Sequence, residues 1–232
     1  MATQFSYKLT DTNIYAHLLY RIHNKDAAKI DGADLLEALT KAVQLANKHL
    51  QHTNCNIVVY ADPENVIPEE GVGGLSLGSD DWIRIDIDPN TKLGVKKVIQ
   101  KQLPGIVAHE LHHARRAKSV GYGDTLGEAL VTEGLAQAYQ EFLYPKVDVL
   151  YAHHLTRNEI KQAWESAKRE LDSDEYNHAE WFFGAGTLKR WAGYSLGYDI
   201  ILRHMKDIEE ENPAKLVDVP AGEFMDKYGS EK

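Results

Sequence analysis

GIVAHELHHARR, residues 105–116, sets three histidines and a glutamate within five positions, His109 to His113. On a helix, residues four apart lie about 40° from each other around the axis, so His109 and His113 project together. Each can then offer a ring nitrogen to one metal ion. Glu110 stands roughly 60° from His113 on the same side, beside such an ion but not on it. That is the place for a general base. His112 falls on the other flank of the pair, where it either supports a ligand from behind or faces solvent. The apolar run Ile106-Val107-Ala108 buries the turn ahead of the motif, and Leu111 and Ala114 carry no charge. Arg115 and Arg116 then bring charge directly after this run.

Two histidines do not complete a catalytic zinc site, which needs a third protein ligand and a position left for water. Metzincin spacing asks for glycine at 116 and histidine at 119, but Arg116 and Ser119 stand there. Three acidic residues remain. Asp124 lies in the turn Gly121-Tyr122-Gly123-Asp124. Glu128 and Glu133 lie on the helix expected next, about 140° apart around its axis. Glu133 is preferred. It follows His113 by twenty residues, in GEALVTEGLAQAY, and a second helix returning antiparallel across a short turn can bring it opposite the motif. A buried glutamate needs a partner, and a metal ion supplies one. Gln137, one turn beyond Glu133, is placed to hydrogen-bond a ligand from behind.

HExxH followed at this distance by Glu133 in TEGLA resembles the gluzincin metallopeptidases. AHELHHA, LGEALVTEGLA and the later WAGYSLGYDI at 191–200 resemble more closely a family of predicted bacterial zinc-dependent proteases catalogued as a domain of unknown function. The likeness runs from about Gly71 to Phe224. It implies a zincin-like (gluzincin) fold, Zn2+ as cofactor held by His109, His113 and Glu133, and Glu110 as the base that activates a zinc-bound water against a peptide bond. It implies peptides or small proteins as substrates without naming one. An oxyanion donor is also needed in such chemistry. Tyr194 is the first candidate, Tyr198 the second, and His178 a weaker third. A zinc-stabilised binding or regulatory protein with little turnover is the alternative function; intact Glu110 speaks against it, because a structural metal needs no base. A helical protein without metal would require the spacing to Glu133 to be coincidence.

The rest of the chain is compatible with such an enzyme. Its 232 residues are enough for one sizeable core, and a single domain is expected over 1–232, with 1–30 as an N-terminal extension and 31–228 as the catalytic core. A net charge of −9 repels phosphate backbones, which argues against a nucleic-acid partner. No apolar run reaches the roughly 18 residues of a membrane span. The lone Cys55 and the absence of a signal-like start lead to an expectation of a reducing cytoplasm.

Hydrophobic periodicity predicts an α+β layout: a small, mainly antiparallel sheet followed by a predominantly helical body. Helices are expected at 12–23 and 32–50, then strands at 56–60, 72–77 and 82–88. Further helices are expected at 93–103, 104–119, from 124 or 125 to 143, 156–171, 185–207 with a possible break near Gly193, and 220–227. The strand around 72–77 or 82–88, with glycines at 73, 74 and 78, is the expected edge for an extended substrate. His153-His154 and the glutamates at 209–211 read as solvated surface.

Overall fold

Five strands form one sheet: β1 (Gln4–Lys8), β2 (Asn13–Leu19), β3 (Asn54–Ala61), β4 (Val72–Ser76) and β5 (Trp82–Ile87), in the spatial order β1-β2-β3-β5-β4. The computed structural model describes residues 4–9, 13–19, 28–51, 54–76 and 81–230. These belong to two compact units, Met1–Lys118 with Leu143–Val147, and Ser119–Phe142 with Asp148–Lys232.

The sheet belongs to the first unit, and it is mixed instead of mainly antiparallel. β1 runs antiparallel to β2 and β4 antiparallel to β5, while β2–β3 and β3–β5 are parallel. The parallel β2–β3 pair demands a long crossover, and helix α1 (Gly32–Leu50) provides it. Asp31 caps α1 by accepting from the backbone N–H groups of Ala33 and Asp34, the arrangement that satisfies otherwise orphaned donors. Leu35, Leu39, Val43, Ala46 and Leu50 form its buried stripe. In β5, alternation sends Ile83, Ile85 and Ile87 inward, all fully buried. Their neighbours across β3 are Ile57, Val59 and Ala61.

The helix expected at 12–23 is instead the strand β2 where the structure describes it. Ile14 and Ala16 are fully buried and alternate with the part-exposed Tyr15. A run this short satisfies both periods, and hydrogen bonding to β1 and β3 decides between them.

Helical backbone then runs unbroken through α2 (Val95–Lys97), a π-helical turn (Val98–Gln102) and α3 (Leu103–Ala117). Sequence periodicity places a boundary at Pro104; the chain instead absorbs that proline within one helix. Proline has no N–H and crowds the carbonyl four residues back, and the wider turn just ahead of it removes that conflict. α3 packs against α1 and against β4 and β5.

The second unit is helical: α4 (Leu126–Leu143), α5 (Arg157–Ala167), α6 (Ala192–Asp207) and α7 (Ala221–Ser230). The helix expected from 185 begins only at Ala192, and a separate π-helical turn occupies Ala179–Phe183. α4 and α6 touch backbone to backbone. A methyl group built on Gly134 would lie 2.2 Å from the Gly197 carbonyl oxygen, and one on Gly197 would lie 2.2 Å from that of Leu130. From Leu126 to Gln140, α4 is buried at every position except Glu128, the pattern of a helix covered on all sides.

Two measurements probe this packing. Gly197→Val forces α4 and α6 apart and is expected to destabilise the protein by about 3 kcal/mol or more in denaturant unfolding; a wild-type midpoint would refute the contact. Glu70, in the turn before β4, is 2% exposed and its Oε1 has no hydrogen-bond partner among the described residues. Burial, reinforced by the charge of Glu69, pushes its carboxyl up to about 7. The folded state therefore holds this proton more tightly than the unfolded chain, so stability is full below about pH 4.3 and is lost as pH rises through 7. Glu70→Gln is expected to gain stability progressively over wild type between those limits, reaching about 3 kcal/mol above them. A gap that does not change with pH would contradict this.

Candidate metal centre

α3 carries the motif on a helix that is almost wholly enclosed. His109, Glu110 and His113 are each 5% exposed. The Nε2 atoms of His109 and His113 stand 2.9 Å apart, with the rings edge-to-face. Two nitrogens held about 2.0–2.1 Å from a tetrahedral zinc ion would lie roughly 3.3 Å apart, so the pair needs only a slight opening. His112 is fully buried. The solvent-facing role open to it from sequence is therefore excluded, because α3 is covered on that flank too.

Glu110 owes its position to a missing side chain. On the helix-facing side of the sheet, Gly74 in β4 continues the row begun by Val59 and Ile85. A methyl group there would meet Glu110 Cγ and Oε1, each at 2.6 Å, and Ile106 at 2.8 Å. The glycine lets a carboxylate rest against the strand at the sheet's edge.

In the second unit, Glu133 is 6% exposed within the buried helix α4. The Tyr122 hydroxyl donates to Glu133 Oε1 at 2.5 Å. Burial and the neighbouring Glu133 charge push the Tyr122 phenol well above its usual range, so it remains a proton donor at neutral pH. Tyr176 is raised for similar reasons, burial first and then Glu133. Burial lowers His178, with Glu133 acting in opposition. The Tyr176 hydroxyl and His178 Nδ1 are 3.1 Å apart, and the His178 ring stacks on Phe182.

His109, His113 and Glu133 form a buried group able to hold a metal ion, with one ligand atom from each lying within 4.8 Å of the others. Two imidazoles and a carboxylate suit zinc and leave one coordination position for water. The other two acidic candidates are otherwise placed. Glu128 Oε2 accepts from the backbone N–H groups of Asp124 and Thr125 and from the Thr125 hydroxyl, so it is committed to capping α4. Asp124 is exposed.

The remaining sequence candidates divide. Tyr194, on α6, packs against Tyr151 and Phe182 and lies close enough to Tyr122 to influence it electrostatically. Tyr198, 6% exposed, packs against His153, which reaches Glu141 two turns beyond Glu133. Gln137 is fully buried one turn after Glu133, and neither of its amide atoms has a hydrogen-bond partner among the described residues. Sequence reasoning passed over Tyr122 and Tyr176. Tyr122 sits in Gly-Tyr-Gly, which reads only as a turn, and its flanking glycines were the one local hint that the backbone there is specially shaped.

Among the described residues, no helix is long and apolar enough to cross a membrane. No curated protein matches the chain. Among solved structures it resembles an aminopeptidase N family protein from Idiomarina loihiensis, with a TM-score of 0.51 at 11% identity. That match covers 96% of this chain and 41% of the other, so the chain spans less than half of the aminopeptidase's length. Yeast LTA4 hydrolase in complex with bestatin matches with a TM-score of 0.46 at 13% identity, over 95% of this chain and 33% of that one. The model of the predicted Zn-dependent protease family DUF2268 matches residues 35–226. With His109, Glu110, His113 and Glu133 all inside that span, the chain belongs to the family of predicted Zn-dependent proteases.

Proposed function

We propose that this chain is a zinc-dependent peptidase that hydrolyses peptide bonds in peptides or small proteins. The observation that carries the proposal is the buried group of His109, His113 and Glu133, with Glu110 next to the first ligand and resting against Gly74. When bound, zinc lowers the pKa of a water toward neutrality and polarises a carbonyl. His109, His113 and Glu133 would hold the ion. Glu110 receives a proton at its carboxylate and delivers it to the departing amine nitrogen.

Among the described residues β4 is an edge of the sheet, paired within it to β5, with Val72 at its start also bridged to Ile67. An extended peptide can add to such an edge through main-chain hydrogen bonds. Gly74 makes this edge suitable, because it allows Glu110 to lie beside the strand along which a peptide would run. For the oxyanion we favour Tyr194 over Tyr198. Tyr194 shares the surroundings of Tyr122 and so of Glu133, whereas Tyr198 is packed against His153. Gln137 and His112 are buried polar groups on the helices that carry the proposed ligands, and steadying those ligands is the role we assign to them.

Bound zinc and hydrolysis of a mixed peptide library, measured together, test the proposal. Glu110→Gln is expected to keep zinc and lose about 10²–10⁴-fold in kcat. Glu133→Ala is expected to weaken zinc binding by more than the roughly 10–100-fold that loss of an outer partner costs. Zinc uptake with no cleavage of any peptide would instead favour a zinc-stabilised binding protein. Gly74→Ala probes the base separately, since its methyl group displaces the Glu110 carboxylate. Its kcat should fall at least about ten-fold with zinc affinity retained; wild-type kcat would show that this contact does not matter.

A further inference from the structure

The turn ahead of α4 is built more firmly than a connection requires. Gly121 and Gly123 hold left-handed backbone conformations, with φ of +83° and +98°. A methyl group on Gly123 would stand 2.2 Å from Glu128 Cβ, so the turn lies flush against the first turn of the helix. Glu128 ties it down through Asp124 and Thr125. The Thr132 hydroxyl donates to the Tyr122 carbonyl oxygen at 2.8 Å. The residue adjacent to Glu133 therefore grips the backbone of Tyr122, while the Tyr122 side chain reaches back to Glu133 Oε1 at 2.5 Å. Helix and turn form a closed ring of contacts around one carboxylate.

We propose that Tyr122 is a positioning residue for the metal ligand Glu133: its hydroxyl fixes one carboxylate oxygen and thereby sets how the group is presented to zinc. This rests on the zinc-site reading above and extends it to a residue outside the motif. The chemistry of the donor matters. A lysine or arginine at this place would orient the carboxylate but also cancel its charge. A neutral phenol orients it and leaves the negative charge for the cation, and a hydrogen bond to an ionised acceptor is short and strong. Because the turn is already held by Glu128 and Thr132, the carboxylate's orientation is set before an ion arrives, as partners behind metal ligands commonly do.

The test uses the full chain, with zinc affinity measured by competition against a chromophoric chelator and cobalt substituted for zinc to report ligand geometry by visible absorption. Tyr122→Phe is expected to bind zinc about 10–100-fold more weakly, to shift the cobalt spectrum, and to lose part of the rise in melting temperature that zinc confers. Thr132→Val keeps the phenol but frees its backbone, and is expected to give a smaller loss of the same kind; it also serves if Tyr122→Phe does not fold. Unchanged zinc affinity and cobalt spectrum in Tyr122→Phe, or in Thr132→Val alone if the first variant is unfolded, would overturn the assignment. A purely structural tyrosine would lower the melting temperature of the metal-free protein without altering the spectrum, and that result also overturns it. Wild-type protein that takes up neither metal would overturn this assignment and the zinc peptidase together. Zinc binding without peptide cleavage would sink only the peptidase, and the affinity comparison would still decide the role of Tyr122.

Discussion

A carboxylate taken out of water must be compensated, and Glu133 sits on a helix that is buried at nearly every position around it. An apolar residue would satisfy α4 as a packing element without any further demand. The glutamate instead obliges its surroundings to supply a donor, and Tyr122 supplies one. That donor requires a turn of unusual backbone shape, which in turn requires Gly121 and Gly123 and the anchoring by Glu128 and Thr132. Much of the local architecture of the second unit thus follows from one buried charge. The imidazoles of His109 and His113 pose a comparable demand on α3, with their facing Nε2 atoms 2.9 Å apart.

Small residues provide the clearances on which this arrangement depends. Gly74 removes the side chain that would otherwise occupy the position of Glu110. Gly134 and Gly197 let α4 and α6 approach to backbone contact, which holds Glu133's helix against the one whose Tyr194 packs with Phe182 and Tyr151. These glycines do different physical work from those at 121 and 123. The first set is needed because any Cβ would collide with a neighbour; at 121 and 123 the backbone conformation itself excludes most side chains. At Gly123 both reasons apply.

The basic residues that follow the motif are absorbed by the fold. Arg116 is 2% exposed, and Lys118 donates to the Asn54 carbonyl and pairs with Asp81. Lys118 thereby ties the end of α3 to β3. On the sheet's other face, Arg84 makes a bidentate contact with Asp86, reaches Asp62 and lies over the Tyr60 ring.

The candidate metal ligands could be named from residue order alone, as could most of the elements that carry them. His109, Glu110 and His113 are local in sequence, so helical geometry is enough to relate them, and the periodic run of α1 and the strict alternation of β5 fix those elements without outside help. Glu133 could be preferred among the acidic candidates because its distance from His113 suits two helices joined by a short turn. Where signals are short or contacts are remote, tertiary structure decided. β2 is a seven-residue run whose strand character comes from pairing with β1 and β3, and the mixed direction of the sheet depends on crossovers that periodicity does not record. Gly74 and Tyr122 carry no chemical signature of their own. One matters through the space it leaves for Glu110, the other through where a turn aims its hydroxyl, and both are properties of neighbours that only folding brings together.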